Sequence, residues 1–78
     1  MKSHLKALRA DRGWTQEQLG VAVGVSRYAI NALETERHDP SLDLAFRIAA
    51  AFGVGVEEVF INPHEAAAAS PAPAAANV

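Results

Sequence analysis

The sequence predicts an all-α fold: a compact domain of five short helices over residues 1–61, followed by an alanine- and proline-rich tail over 62–78. Three observations predict it. No stretch alternates apolar and polar residues over more than a few positions, so strands find no support. Apolar residues recur three and four apart instead, as in Leu5/Leu8, Leu19/Val23 and Ile30/Leu33. Helix starts and stops punctuate the chain in order: Thr15, Ser26 and Ser41 as caps, and Gly13, Gly24 and Gly53 as terminators.

The first helix carries Leu5, Leu8 and Ala7 on its inward face and ends at Gly13. The second starts at Gln16. Thr15 and Gln18 form a capping box, and Trp14 with Leu19 is placed as a hydrophobic staple around it. Leu19 and Val23 face inward. The third helix follows Ser26, with Val25 and Ile30 as a second staple. Ala29, Ile30 and Leu33 form its buried side, while Tyr28, Asn31, Ala32 and Thr35 point the other way and Arg27 lies at the flank. Pro40 blocks helix before the fourth element, which Ser41 or Asp39 caps. Its apolar stripe is Leu42, Ala45, Ile48, Ala49 and Phe52. "VEEVF" is the fifth helix, with Glu57 and Glu58 well placed for the positive end of its dipole. From Asn62 onward no large apolar residue precedes Val78, so the tail cannot offset the entropy of ordering it.

Composition narrows the function. The 78 residues suit one small domain. The absence of cysteine excludes a disulfide scaffold and thiolate metal sites and fits a cytoplasmic protein. The opening "MKSHLKALRADRG" has no secretory character, and Arg47 interrupts the longest apolar region well short of a membrane span. The net charge is −2, but it is unevenly spread. Residues 1–37 hold six Lys and Arg against four Asp and Glu; residues 38–78 hold one against five. Such an asymmetry points to a basic binding face, against the plain alternative of scattered surface charge.

The junction of the second and third helices carries the strongest signal. Only "GVS" separates them, so they must cross steeply, with Gly24 giving the turn its freedom and Gly20 allowing close approach. This is the helix-turn-helix pattern. It holds the outer face of the second helix of the pair outward, where a DNA major groove is wide enough to admit it.

The motifs "TQEQL", "GVSR", "PSL" and "FGVGVEEVF" occur here in order and at fixed spacing. With them, residues 3–61 resemble the helix-turn-helix domain of the phage repressor and Cro type, in particular the short single-domain prokaryotic regulators of that lambda-repressor-like group. The resemblance implies a sequence-specific DNA-binding transcriptional regulator, with repression as the expected outcome. It implies that Ser26, Arg27, Tyr28 and Ala32 face base edges and that Gln16, Asn31 and Arg37 meet the DNA backbone. It also implies a structural pair, Arg9 with Glu34. Three positions depart from the pattern. Glu36 stands where a glycine commonly ends the recognition helix, Gly20 replaces an alanine at a cost of about 1 kcal/mol in helix propensity, and Gly55 replaces a capping serine or threonine.

Every one of these positions has a plainer counterpart. Arg27 and Asn31 can be solvated, Tyr28 can pack sideways on the domain, Gln16 can merely start a helix, and Ala32 can only clear space. As a surface pair, Arg9–Glu34 would contribute at most about 1 kcal/mol. Arg12 and Lys6 read as solvated. No catalytic or metal site is expected, because His4, His38 and His64 are scattered and no glycine-rich phosphate loop follows a strand. The expected partner is double-stranded DNA with a two-fold operator, read by a homodimer without cofactor or small-molecule effector. Val54, Val56, Phe60 and Ile61 are the candidate dimer contacts, with closure of the core as the alternative for Val54, Val59 and Phe60. A protein-interaction module or antitoxin-like partner protein built on the same domain is the competing reading.

Overall fold

The computed structural model describes residues 1–64, and the expectation for the tail therefore lies, from Glu65 on, outside the described residues. Five helices follow one another: α1 Leu5–Asp11, α2 Gln16–Val23, α3 Arg27–Glu34, α4 Leu42–Phe52 and α5 Val56–Val59. None is long and apolar enough to cross a membrane.

The helices α2, α3 and α4 begin where a cap side chain gives their first-turn N–H groups an acceptor. The Thr15 hydroxyl accepts from the Gln18 N–H at 3.0 Å, and the Gln18 side chain accepts from the Thr15 N–H at 2.8 Å, which completes the capping box. Ser26 accepts from Ala29 and Ser41 from Leu44. Ser41, not Asp39, is thus the cap of α4; Asp39 instead holds the terminal amine of Met1 at 2.7 Å. Gly55 has no side chain to offer α5, and only the returning half of a box is present, with the Glu58 carboxylate accepting from the Gly55 N–H at 2.8 Å.

The core gathers one apolar stripe from every helix. Leu5, Leu19, Val23, Ile30, Leu33, Ile48, Phe52 and Val59 are all within 3% of complete burial. Trp14 lies at the edge and stacks on Phe52 with ring centroids 5.1 Å apart. The two ends of the domain are tied by main chain: His4 donates to Val59 at 2.7 Å, Ile61 donates to Lys2 at 2.9 Å, and Ser3 bridges Phe60.

Two apolar assignments change, and one open alternative is decided. Ala7 is exposed, because the narrow stripe of α1 runs through Leu5 and Leu8 alone. Leu42 is 70% exposed, since the inward stripe of α4 begins one turn later at Ala45. Of the two readings of Phe60, closure of the core holds, because the pairing of residues 2–4 with 59–61 folds it beneath the N-terminus.

Candidate nucleic-acid interface

The crossing of α2 and α3 is tighter than helix propensity alone implies. A Cβ added to Gly20 would lie 2.6 Å from the Val25 carbonyl oxygen and 3.2 Å from the Ser26 carbonyl carbon. Gly20 is therefore needed for the approach of the turn, and it is more than a weak helix former. The turn is closed by the Val25 N–H on the Gly20 carbonyl at 2.9 Å, with Gly24 in the left-handed region at φ 78°. From α4, Arg47 Nη1 donates to the Val23 carbonyl at 2.6 Å while its Nε meets Asp43 at 2.9 Å. It satisfies a carbonyl orphaned at the end of α2 and ties the helix pair to the rest of the domain.

A second anchor fixes α3 against α1 and α2. The Glu34 carboxylate accepts from Arg9 Nε at 2.8 Å, Arg9 Nη2 at 3.1 Å and Gln16 Nε2 at 3.1 Å, while Arg9 Nη1 reaches the Trp14 carbonyl at 2.8 Å. One carboxylate thus joins three helices. Its side chain is 4% exposed and that of Arg9 16%, so this is no surface pair. Losing either partner leaves a desolvated charge and costs about 2–4 kcal/mol, somewhat below the range for complete burial because Arg9 keeps an edge in water. Burial would raise the Glu34 carboxyl, but the hydrogen bonds from Arg9 and Gln16 outweigh it and hold the group below its ordinary value.

With its inner side held, α3 offers a distinct outer face. Tyr28 is 69% exposed, so it does not pack sideways on the domain. Arg27 Nη2 donates to the Tyr28 hydroxyl at 3.1 Å, and the guanidinium stands 5.0 Å from the ring centroid. The two form one exposed unit at the N-terminal end of the helix. Beside it, an open depression along the start of α2 is lined by Thr15, Gln16 and Glu17 with Arg27 opposite. Ser26 uses its hydroxyl oxygen as a cap and keeps its own proton available. Ala32 is half-buried midway along the face. At the far end, Arg37 turns back over the helix, donating from Nη2 to Asn31 Oδ1 at 2.8 Å and from Nε to Thr35 Oγ1 at 3.0 Å.

Glu36 produces that return. It adopts φ 63°, and no other described non-glycine residue has positive φ. Its N–H reaches Leu33 at 3.3 Å and the Arg37 N–H reaches Ala32 at 2.9 Å, the two-bond ending in which a left-handed residue reverses the chain. The eight residues of α3 rise about 12 Å, close to the width of a major groove, with Arg27 in the first turn and the Arg37 guanidinium folded back over Asn31 and Thr35.

Sequence reasoning missed several members of this arrangement. Arg12 is not merely solvated: its guanidinium donates to the Phe52 carbonyl at 2.6 Å and lies over the rings of Trp14 and Phe52, capping α4. Arg47 was legible only as an interruption of an apolar run, and Gln16 only as a backbone contact or a helix start, not as a partner of Glu34. Among the described residues no group of acidic, histidine or cysteine side chains is gathered to hold a metal.

Against known proteins, the sequence model of the helix-turn-helix family matches residues 5–59. An uncharacterised HTH-type transcriptional regulator of Methanocaldococcus jannaschii is 52% identical over 61 residues, covering 78% of this chain and 92% of its own length. The uncharacterised HTH-type transcriptional regulator YgzD of Bacillus subtilis is 47% identical over 60 residues, covering 77% and 91%. Among solved structures, the P22 c2 repressor in complex with a synthetic operator superposes with a TM-score of 0.67 at 26% identity, over 69% of this chain and 82% of the repressor.

Proposed function

The chain belongs to the Cro/C1-type helix-turn-helix family of DNA-binding transcription regulators, and from that premise we propose that it reads a defined DNA operator with the outer face of α3. The observation that carries the reading is the exposed Arg27–Tyr28 unit at the start of a helix whose inner side is locked by Glu34. Arg27 supplies a bidentate fork for a guanine edge, the commonest specific contact in a major groove. Tyr28 offers its ring to a thymine methyl or its hydroxyl to a phosphate. Ser26 lies beside them, and Ala32 clears room for the base edges. Gln16 and Arg37 meet the backbone on either side, aided at Gln16 by the dipole of α2.

The DNA-reading unit is residues 1–61. It works by occupying its site in the cytoplasm, without catalysis, cofactor or small-molecule effector, and repression by promoter occlusion is the outcome this implies. Selection of bound sequences from a random duplex pool tests the reading. A guanine-containing, two-fold symmetric motif supports it, and failure to enrich any sequence removes it.

Such an operator calls for two copies of the chain, and the buried Phe60 is not where they meet. Leu42 and Phe46, 70% and 59% exposed, lie four apart on α4 beside the Asp43–Arg47 pair. Across a two-fold axis that stripe is self-complementary, apolar to apolar and Asp43 to Arg47. A stripe this narrow falls short of the roughly 800 Å² per partner of a stable complex, so pairing takes place on DNA and not in free dilute solution. Sedimentation of the protein with and without its operator tests this: a lone protomer on a symmetric operator removes the pairing.

A further inference from the structure

We propose that Asn31 and Thr35 are positioning residues, which hold the Arg37 guanidinium ready for a DNA phosphate and do not meet the DNA themselves. The inference rests on the DNA-binding reading above and deepens it at one end of the same face.

Hydrogen-bond chemistry fixes the direction of both bonds that Arg37 makes. Arginine has donors and no acceptor, so the Asn31 amide must turn its oxygen toward Arg37 Nη2, at 2.8 Å. The Thr35 hydroxyl gives its single proton to the Asn31 carbonyl at 2.8 Å, and it is therefore a lone pair of Oγ1 that Arg37 Nε meets at 3.0 Å. The chain of bonds runs from Arg37 through Thr35 into the main chain of α3, and each donor along it meets an acceptor. Glu36 completes the device. Its left-handed backbone reverses the chain and brings Arg37 over Asn31, one turn and a half back along the helix.

What remains open on Arg37 is a phosphate fork. Of its five N–H groups two are engaged, leaving both on Nη1 and one on Nη2. None of the described ion pairs engages Arg37, so its charge remains for an anion. A loop arginine otherwise gives up its rotamer freedom when it binds; one already held in place gives up less. Asn31, a half-buried residue with its amide oxygen engaged, is worth more as a brace than as a contact.

The test is fluorescence anisotropy on a labelled duplex of mixed sequence across a salt series, which needs no knowledge of the operator. The variants are Arg37→Ala, Asn31→Ala, Thr35→Val, Thr35→Ser and the doubles of the first with each of the next two. Arg37→Ala should weaken binding about tenfold and lower the salt slope by about one. Asn31→Ala and Thr35→Val should each weaken it about three- to tenfold, and neither should weaken it further once Arg37 is gone. Thr35→Ser, which keeps the hydroxyl, should bind as wild type. Losses from Asn31→Ala or Thr35→Val that persist in full without Arg37 would overturn the proposal, as would the absence of any loss. Wild-type protein that fails to bind duplex even at low salt would instead overturn the DNA-binding reading on which it rests.

Discussion

Replacing Glu36 by glycine should stabilise this domain. Glu36 holds φ 63°, where a side chain crowds its own backbone at a cost of about 1–2 kcal/mol that glycine does not bear. Glycine also frees the unfolded chain, which takes back roughly 0.4–1 kcal/mol. The net gain is about 0.5–1 kcal/mol, or roughly 2–8 °C in melting temperature for a domain of this size. The two main-chain bonds that close the helix, from Glu36 to Leu33 and from Arg37 to Ala32, do not use the side chain and persist. Glu36→Gln is the matched control: it removes the same charge but keeps the strain. Thermal and urea unfolding followed by circular dichroism should therefore rank glycine above both glutamate and glutamine. Binding to duplex should behave differently, strengthening in both variants, because each removes a carboxylate next to the expected phosphate path. If Glu36→Gly melts at or below wild type and Glu36→Gln, the left-handed strain assigned to this residue is refuted.

Other substitutions probe the supports of the face. Gly20→Ala should lower the melting temperature even though alanine is the better helix former. The gain of about 1 kcal/mol in propensity is set against a backbone clash at 2.6 Å, for which overpacking costs of about 1–3 kcal/mol are typical; a higher melting temperature would show that the turn has room. Glu34→Gln should destabilise the protein by about 2–4 kcal/mol at neutral pH. Because the folded protein holds Glu34 below its ordinary value, the unfolded chain binds the proton first, and the stabilisation present above the ordinary range near 4.3 is lost as pH falls through and below it. Urea midpoints of wild type and Glu34→Gln should accordingly converge in acid, and a constant gap would remove the pairing account. Arg12→Ala should loosen Trp14 against Phe52, read as a change in indole fluorescence with a small loss of stability; unchanged emission would count against the capping role.

Much of the fold could be read from the residues because it is written in short-range chemistry. The box of Thr15 and Gln18, the caps Ser26 and Ser41, and the glycine after α2 act within four residues of themselves. So does the spacing that buries Ile30 and Leu33. What was missed depends on contacts across the chain. Phe60 could be read either as a dimer contact or as part of the core, and only the pairing of residues 2–4 with 59–61 decides for the core. Arg12 and Arg47 look like solvated charges until each meets a carbonyl 40 or 24 positions away. Arg9 and Glu34 were matched as a pair through the family resemblance, but their burial, and the addition of Gln16, follow only from how α1, α2 and α3 converge. Glu36 was visible as a departure from a usual glycine; its consequence, the return of Arg37 onto Asn31 and Thr35, was not, because side-chain direction after a left-handed residue has no signature in composition.

The central claim is that the start of α3 reads bases, and equilibrium binding of Arg27→Ala tests it most directly. Wild type and variant are titrated against the selected operator and against each single-base change in it. The account predicts a loss of about 1–3 kcal/mol on the operator, with preference relaxed at one base pair and retained elsewhere. A variant that binds all sequences as selectively as wild type would contradict it.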